Sequence, residues 1–236
     1  MLRVTHAHVN WYLLADGDGV TIVDTGLPRH WTLLPKALAK LDRTLDDVRA
    51  VVLTHGHYDH VGFAERARRE LGVRVHAPRG EDIYRHPWRF PFERLPLAYA
   101  TNPGFLKIFA RFGANGALWT KGVEEVTEYG DGDQLEVPGR PRAIATPGHT
   151  PGHMALHLPD EDTVITGDAL VTLDPYTALT GPRLVARAAT ADSAQNLASL
   201  DRIAETGARH LQPGHGNPWH GGAEEAVQIA RRNGAR

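Results

Sequence analysis

Ala50-Val-Val-Leu53-Thr54-His55-Gly56-His57-Tyr58-Asp59-His60 is the stretch from which the rest of the chain is read. Its first four residues are an unbroken apolar run, as expected of a strand buried on both faces. Three imidazoles and a carboxylate follow at the strand's carboxyl end, where binding loops commonly form in open sheets. In extended backbone, side chains two apart share a side, so His55, His57 and Asp59 are expected to converge while His60 points elsewhere. Four nitrogen and oxygen donors exceed what one tetrahedral ion ordinarily takes from so short a segment. Two metal ions sharing the loop is the economical reading.

On either side of this stretch the pattern is strand, helix, strand. Val9–Leu14 and Val20–Asp24 are short β-rich runs around Asp16-Gly-Asp-Gly19, a hairpin signal. Leu33–Leu41 has helical spacing, with Pro35 tolerable only in the first turn. Phe63–Leu71 reads as a helix closed by Gly72, and Val73–Ala77 as the next strand. A βαβ unit of this length makes part of the sheet parallel. Short strands resume at Gln134–Val137, Arg142–Ala145, Met154–Leu158, Thr163–Thr166 and Arg209–Leu211. Helices are expected at about 191–206, with Thr190, Asp192 and Ser193 as candidate caps, and at about 223–231. Between them, residues 84–119 carry nine of the seventeen aromatic side chains. Phe105, Phe109 and Phe112 sit at helical spacing there. The expectation is one domain over 1–236 with an aromatic-rich, partly helical insertion at about 79–125.

Composition narrows the chemistry. Of 236 residues, 42% are hydrophobic and 23% charged, an ordinary globular balance. The formal net charge of −2 provides no basic field for nucleic acid or anionic lipid. Cysteine is absent, which excludes disulfides, thiolate nucleophiles and sulfur-bound zinc. Fourteen histidines are the excess that matters, since neutral imidazole is the commonest metal ligand. No run approaches the roughly 18 to 20 apolar residues that cross a bilayer, and the first residues have no apolar leader core. A cytoplasmic protein acting on a small molecule, without nucleic acid or membrane partners, is expected.

Further donors occur in matching contexts. Thr146-Pro-Gly-His149-Thr-Pro-Gly-His153, Thr166-Gly-Asp168 and Pro213-Gly-His215-Gly216 each set a polar residue beside glycine just past an apolar strand. Small neighbours there permit close approach to an ion. The ordered set His55-X-His57-X-Asp59-His60, His149, Asp168 and His215 resembles the metallo-β-lactamase superfamily, and the Thr146–His153 segment is most similar to its glyoxalase II-like branch. That resemblance implies an α/β fold, a four-layer αββα sandwich with the site at one edge of two sheets. It implies that His55, His57 and His149 hold one metal, that Asp59, His60 and His215 hold a second, and that Asp168 bridges them. Asp24, in the matching Asp-Thr-Gly turn, would orient ligands from outside the metal shell. Zinc is the foremost candidate, with iron or manganese as alternatives.

Two divalent cations can share a water and lower its pKa towards neutrality, supplying hydroxide for hydrolysis of an ester, thioester or lactone. Asp59 would accept a proton as that water ionises. With no cysteine, the β-lactamase branch that places one at the second metal is excluded. Only twenty-one residues follow His215, fewer than the glutathione-binding domain of true glyoxalase II, so a hydroxyacylglutathione substrate is not expected. Quorum-lactone hydrolases often carry tyrosine three residues past the bridging aspartate; Val171 stands there, and Tyr176 is off register. Tyr84, Trp88, Phe109 and Tyr176 are the candidate substrate contacts. The insertion can equally pack onto the sandwich or bury a homodimer face. Two other function classes stand beside hydrolysis: a mononuclear iron oxidoreductase similar to persulfide dioxygenases, using His55, His149 and Asp168, and a non-catalytic metal-binding module.

Overall fold

The structure is a computed structural model that describes residues 1–235. Strands β1 (Leu2–His6), β2 (Val9–Asp16) and β3 (Gly19–Val23) form an antiparallel meander. A 3-10 turn at Pro28–Leu33 runs into α1 (Leu34–Ala39), with Pro35 in its first turn, where the missing N–H costs nothing. Strand β4 (Val48–Val52) then lies parallel to β3. Helix α2 (Ala64–Leu71) crosses over to β5 (Arg74–Pro78), parallel to β4. The insertion holds three 3-10 turns and α3 (Pro103–Ala114), after which β6 (Thr127–Tyr129) completes a six-stranded sheet in sequential order.

The second sheet is built from β7 (Arg142–Ala145), β8 (Met154–Leu158) and β9 (Thr163–Gly167). A small ribbon, β10 (Val171–Leu173) with β11 (Thr180–Arg183), and helix α4 (Ser193–Ala204) follow. Strand β12 (His210–Pro213) joins parallel to β9, giving the order β12-β9-β8-β7, and α5 (Ala223–Asn233) is the last element among the described residues.

Alternation along the strands decides the layers. Trp11, Leu13, Val20, Ile22, Val51 and Val75 pack with Leu34, Leu38, Ala64 and Ala67 from α1 and α2. Their strand neighbours Tyr12, Leu14, Val23, Ala50 and Val52 meet Ala143, Met154, Leu156 and Ile165 of the second sheet. Ile144, Ala155, Val164 and Leu211 turn the other way, onto Leu200, Ile203, Ala226 and Val227 of α4 and α5. Helices, sheet, sheet, helices: the four layers follow from a period of two on strands buried on both sides. Each fully buried Leu, Ile or Val there contributes roughly 1.5–3 kcal/mol of transfer free energy.

The strand expected at Gln134–Val137 does not form; only a bridge between Gln134 and Arg142 remains. Leu135 N–H donates to the Pro141 carbonyl at 3.0 Å, and Pro141 has no N–H with which to continue the ladder. Strands β1, β6, β10 and β11 are additional to the sequence reading. The last three are only three or four residues long, too short for a periodic signal. Of the three candidate caps, Asp192 caps α4, its carboxylate accepting the Gln195 N–H at 2.8 Å.

Candidate metal centre

Five loops reach one edge of the sandwich, each from the carboxyl end of a strand: after β3 (Asp24), β4 (His55–His60), β7 (His149), β9 (Asp168) and β12 (His215). All seven predicted donors are at least 94% buried. They fall into two groups whose ligand atoms lie within 4.8 Å of one another, His55 with His57 and His149, and Asp59 with His60 and His215. Asp168 Oδ2 lies between them, 3.6 Å from His149 Nε2, 3.6 Å from His60 Nε2 and 3.2 Å from His215 Nε2. Gly214 lets the last loop approach, because a Cβ there would stand 2.1 Å from Asp168 Oδ1.

The expected extended backbone is not what groups these residues. Past Leu53 the chain coils, with the N–H groups of His60 and Val61 donating to the His57 carbonyl at 2.9 and 3.1 Å. This turn swings His60 into the centre, its ring 4.2 Å from that of His55, and sends Asp59 to His215 instead of to His55 and His57. The expectation that His60 points elsewhere is corrected on this ground: local hydrogen bonding overrides the two-residue alternation.

Asp24 has φ +55°, a left-handed conformation that aspartate tolerates better than most residues. Its carboxylate accepts the Thr54 N–H at 2.8 Å, the Thr54 hydroxyl at 2.8 Å and His60 Nδ1–H at 2.9 Å. Thr54 Oγ1 is also 3.0 Å from His55 Nδ1. A chain His55 Nδ1–H to Thr54 O–H to Asp24, closed by His60 Nδ1–H, places a proton on Nδ1 of both imidazoles. Asp24, His55 and His60 also lie close enough to form a third donor group, but Asp24 already accepts three hydrogen bonds. On the far side, His215 Nδ1 donates to the His8 carbonyl at 2.7 Å. Three of the imidazoles, His55, His57 and His60, keep a buried Nε2 without a hydrogen-bond partner, as does Asp168 Oδ1. Unpaired buried polar atoms are costly, and these four stand in one cluster. His57 Nδ1 and His149 Nε2 face each other at 3.0 Å.

Charge divides the two groups. Burial holds the imidazole pKa of His55 and His149 well below 6.5, with neighbouring histidines adding to the effect, and lowers that of His57 to about 4. Burial opposes protonation of His215 too, yet Asp168 and Asp59 outweigh it and push the pKa up to about 10; against the same burial, Asp168 and Asp24 raise that of His60 well above 6.5. Asp24, Asp59 and Asp168 thus find their cationic partners among these imidazoles, and three buried carboxylates call for positive charge. Nitrogen and oxygen donors without sulfur, orphaned Nε2 atoms and a carboxylate excess together fit divalent cations.

Two residues outside the predicted set support the donors. His153 Nε2 accepts the Asp168 N–H at 3.0 Å while its Nδ1 lies 2.8 Å from Thr146 Oγ1. Glu81, buried just after β5, reaches the loops of both His57 and His149; burial pushes its carboxyl pKa up to about 7. The repeated Pro-Gly-His of 147–153 signalled His153. Arg79-Gly-Glu-Asp82 reads as an ordinary polar turn and conceals Glu81.

A narrow cleft opens beside His57, Asp59, Asp168 and His215, walled by Phe90, Phe109, Phe112, Tyr176 and Val185. It leaves room for little more than one water. Broader surface grooves, such as that lined by Phe63, Arg66 and Trp119, lie away from the donors. Of the four expected substrate contacts, Phe109 and Tyr176 line this cleft. Tyr84 does not: it is 1% exposed within the core of the first sheet, beside Val123. Trp88 stands one layer back, stacked on Tyr58 with ring centroids 4.0 Å apart. Phe90, 4.4 Å from the His57 ring, takes the place at the cleft instead.

Residues 4–215 match the profile of the metallo-beta-lactamase superfamily, and the chain belongs to that superfamily. Among individual proteins, it is 27% identical over 180 residues to the probable metallo-hydrolase YflN of Bacillus subtilis, an alignment covering 73% of this chain and 64% of that protein. It is 33% identical over 171 residues to the uncharacterized protein ML0493 of Mycobacterium leprae, covering 68% and 67% of the two chains. The chain spans 64%, 63% and 55% of the lengths of YflN, of YybB from B. subtilis and of the beta-lactamase-like protein 2 homolog of Caenorhabditis elegans. The metallo-beta-lactamase family protein TTHA1429 from Thermus thermophilus superposes with a TM-score of 0.69 at 29% identity, over 95% of this chain and 74% of that one. TTHA1623 in a di-iron-bound form shares the fold, with a TM-score of 0.65 at 23% identity and 93% coverage of each chain.

Proposed function

We propose that this protein is a dinuclear metal-dependent hydrolase of the glyoxalase II-like branch, acting on an ester, thioester or lactone of a small molecule. The observation that carries the reading is Asp168 Oδ2, within 3.6 Å of imidazole nitrogens from both donor groups. His55, His57 and His149 would hold one ion and Asp59, His60 and His215 the other, with Asp168 shared. The metallo-hydrolase name of YflN supports the activity, and di-iron TTHA1623 supports two metals on this fold. Zinc, iron and manganese all suit the donors.

Divalent ions bound here would supply Lewis acidity and bring the ionisation of water towards neutral pH. The chain's own residues do the rest. Asp59, held ionised beside His215 and His60, receives a proton from the attacking water. Asp24, through Thr54 and directly, keeps the protons of His55 and His60 on Nδ1, leaving Nε2 for the metals. Phe90, Phe109 and Tyr176 offer an apolar wall to the acyl part of the substrate and restrict water around the reacting carbonyl.

Metal quantification of the purified protein, run with a panel of esters, thioesters and lactones of varied acyl length, tests this. Two ions per chain with turnover on the panel supports the proposal. One iron with oxygen uptake would make it an oxidoreductase, and full occupancy with no turnover would make it a binding module.

A further inference from the structure

We propose that Glu81 is a positioning residue that braces the two loops carrying His57 and His149 against each other. Its two carboxylate oxygens are divided between the loops. Oε1 accepts the N–H of Gly56, the residue between His55 and His57, at 3.1 Å. Oε2 accepts the Thr150 hydroxyl at 2.6 Å and the Gly152 N–H at 3.0 Å, within the loop that carries His149. These loops come from different sheets, since His55–His60 follows β4 and Thr146–His153 follows β7. This side chain therefore spans the seam on which the His57 to His149 spacing of 3.0 Å depends, on the far side of the histidine loops from the Met154 N–H to Thr54 carbonyl bond at 3.0 Å.

The surroundings are built for this contact. Glu81 is 1% exposed, and the partners of its carboxylate are N–H and O–H donors. A Cβ on Gly152 would stand 2.7 Å from the Glu81 backbone nitrogen, so the loop can lie this close only with glycine there. Glu81 itself is anchored by its N–H to the Pro78 carbonyl at 3.1 Å, at the end of β5. A buried carboxylate is expensive to desolvate; three hydrogen bonds to two loops offset that cost only while both loops keep their places. The carboxylate is occupied by these bonds and belongs to neither donor group.

The metal consequence rests on the proposed dinuclear reading; the brace itself does not. The experiment is Glu81→Gln, with Thr150→Ala as a milder second variant in case the first folds poorly. Glutamine keeps the shape but presents one acceptor oxygen and one N–H₂, so one loop must face a donor in place of an acceptor. In metal-free protein, amide exchange at Gly56 or Gly152 should accelerate at least tenfold in Glu81→Gln, while Val51 in β4 keeps its protection. Thr150→Ala should accelerate Gly152 alone, by a smaller factor. In protein loaded with zinc, release to a chelator should be roughly tenfold to a hundredfold faster from the His55, His57, His149 group in Glu81→Gln. Unchanged exchange at both glycines, or acceleration equal to that of Val51, would overturn the brace. A wild-type chain that takes up no zinc would overturn the metal reading while the exchange data still decide on Glu81.

Discussion

Asp24→Asn isolates the part that protonation geometry plays in the centre. Asparagine is close in size and also tolerates the φ of +55°, so the β3 turn should persist. Its Oδ1 can take over the Thr54 N–H, now held at 2.8 Å. Its Nδ2, however, replaces the oxygen that accepts both Thr54 O–H and His60 Nδ1–H, at 2.8 and 2.9 Å. A donor would face a donor. His60 must then carry its proton on Nε2, and Thr54 O–H must turn to His55 Nδ1, which moves that proton to Nε2 as well. Both changes fix N–H at the Nε2 atoms, which are buried without a hydrogen-bond partner and are the atoms left to a metal. Losing such an outer partner typically costs tenfold to a hundredfold in metal affinity, or roughly 1.4–2.8 kcal/mol. Zinc titration against a competing chelator measures it, and nitrogen NMR of the imidazoles reports the tautomers. Wild-type affinity in Asp24→Asn with both protons still on Nδ1 would refute the reasoning.

Other perturbations test different links. Asp168→Ala should lose two-metal loading and most hydrolysis; a variant that still holds two ions per chain would remove the bridge from the mechanism. Phe109→Ala enlarges the cleft beside Tyr176 and should shift acyl preference towards longer chains, read as the ratio of kcat/KM values across a chain-length series; an unchanged ratio would separate Phe109 from the substrate. His30 is fully buried, and burial, helped by His6, lowers its pKa to about 3. The unfolded chain therefore binds a proton near pH 6.5 that the folded chain refuses, so stability falls as pH drops below that value. Between pH 6.5 and 5 this amounts to about 2 kcal/mol. His30→Gln, which can still accept the Leu27 N–H that His30 Nδ1 now holds, should flatten that slope in denaturant titrations. An equally steep acid slope in the variant would assign the effect elsewhere.

Much of the architecture was legible along the chain. Val48–Val52 and Gly19–Val23 are nearly all apolar because both of their faces are covered, and that signal is local. The same holds for the helical spacing of Phe105, Phe109 and Phe112 and for the glycine-flanked donors just past strand ends. Which donors stand together was not local. Alternation alone misplaced His60, because a hydrogen-bonded turn at His57 decides where it points. Aromatic composition likewise could not separate Tyr84, in the core, from Phe90, at the cleft, since both contribute the same apolar area to a count.

What the sequence by itself determined is the inventory and its order: strands buried on both sides, seven nitrogen and oxygen donors, no sulfur, and the superfamily to which that order belongs. Tertiary structure alone decided the partnerships: Asp24 with His60, His8 carbonyl with His215, His153 with Asp168, and Glu81 between two loops. The physical reason is range. Burial and backbone preference act over a few residues and leave a periodic trace, whereas a hydrogen bond joining positions 8 and 215 exists only once two sheets have packed and brought their loops to a common edge.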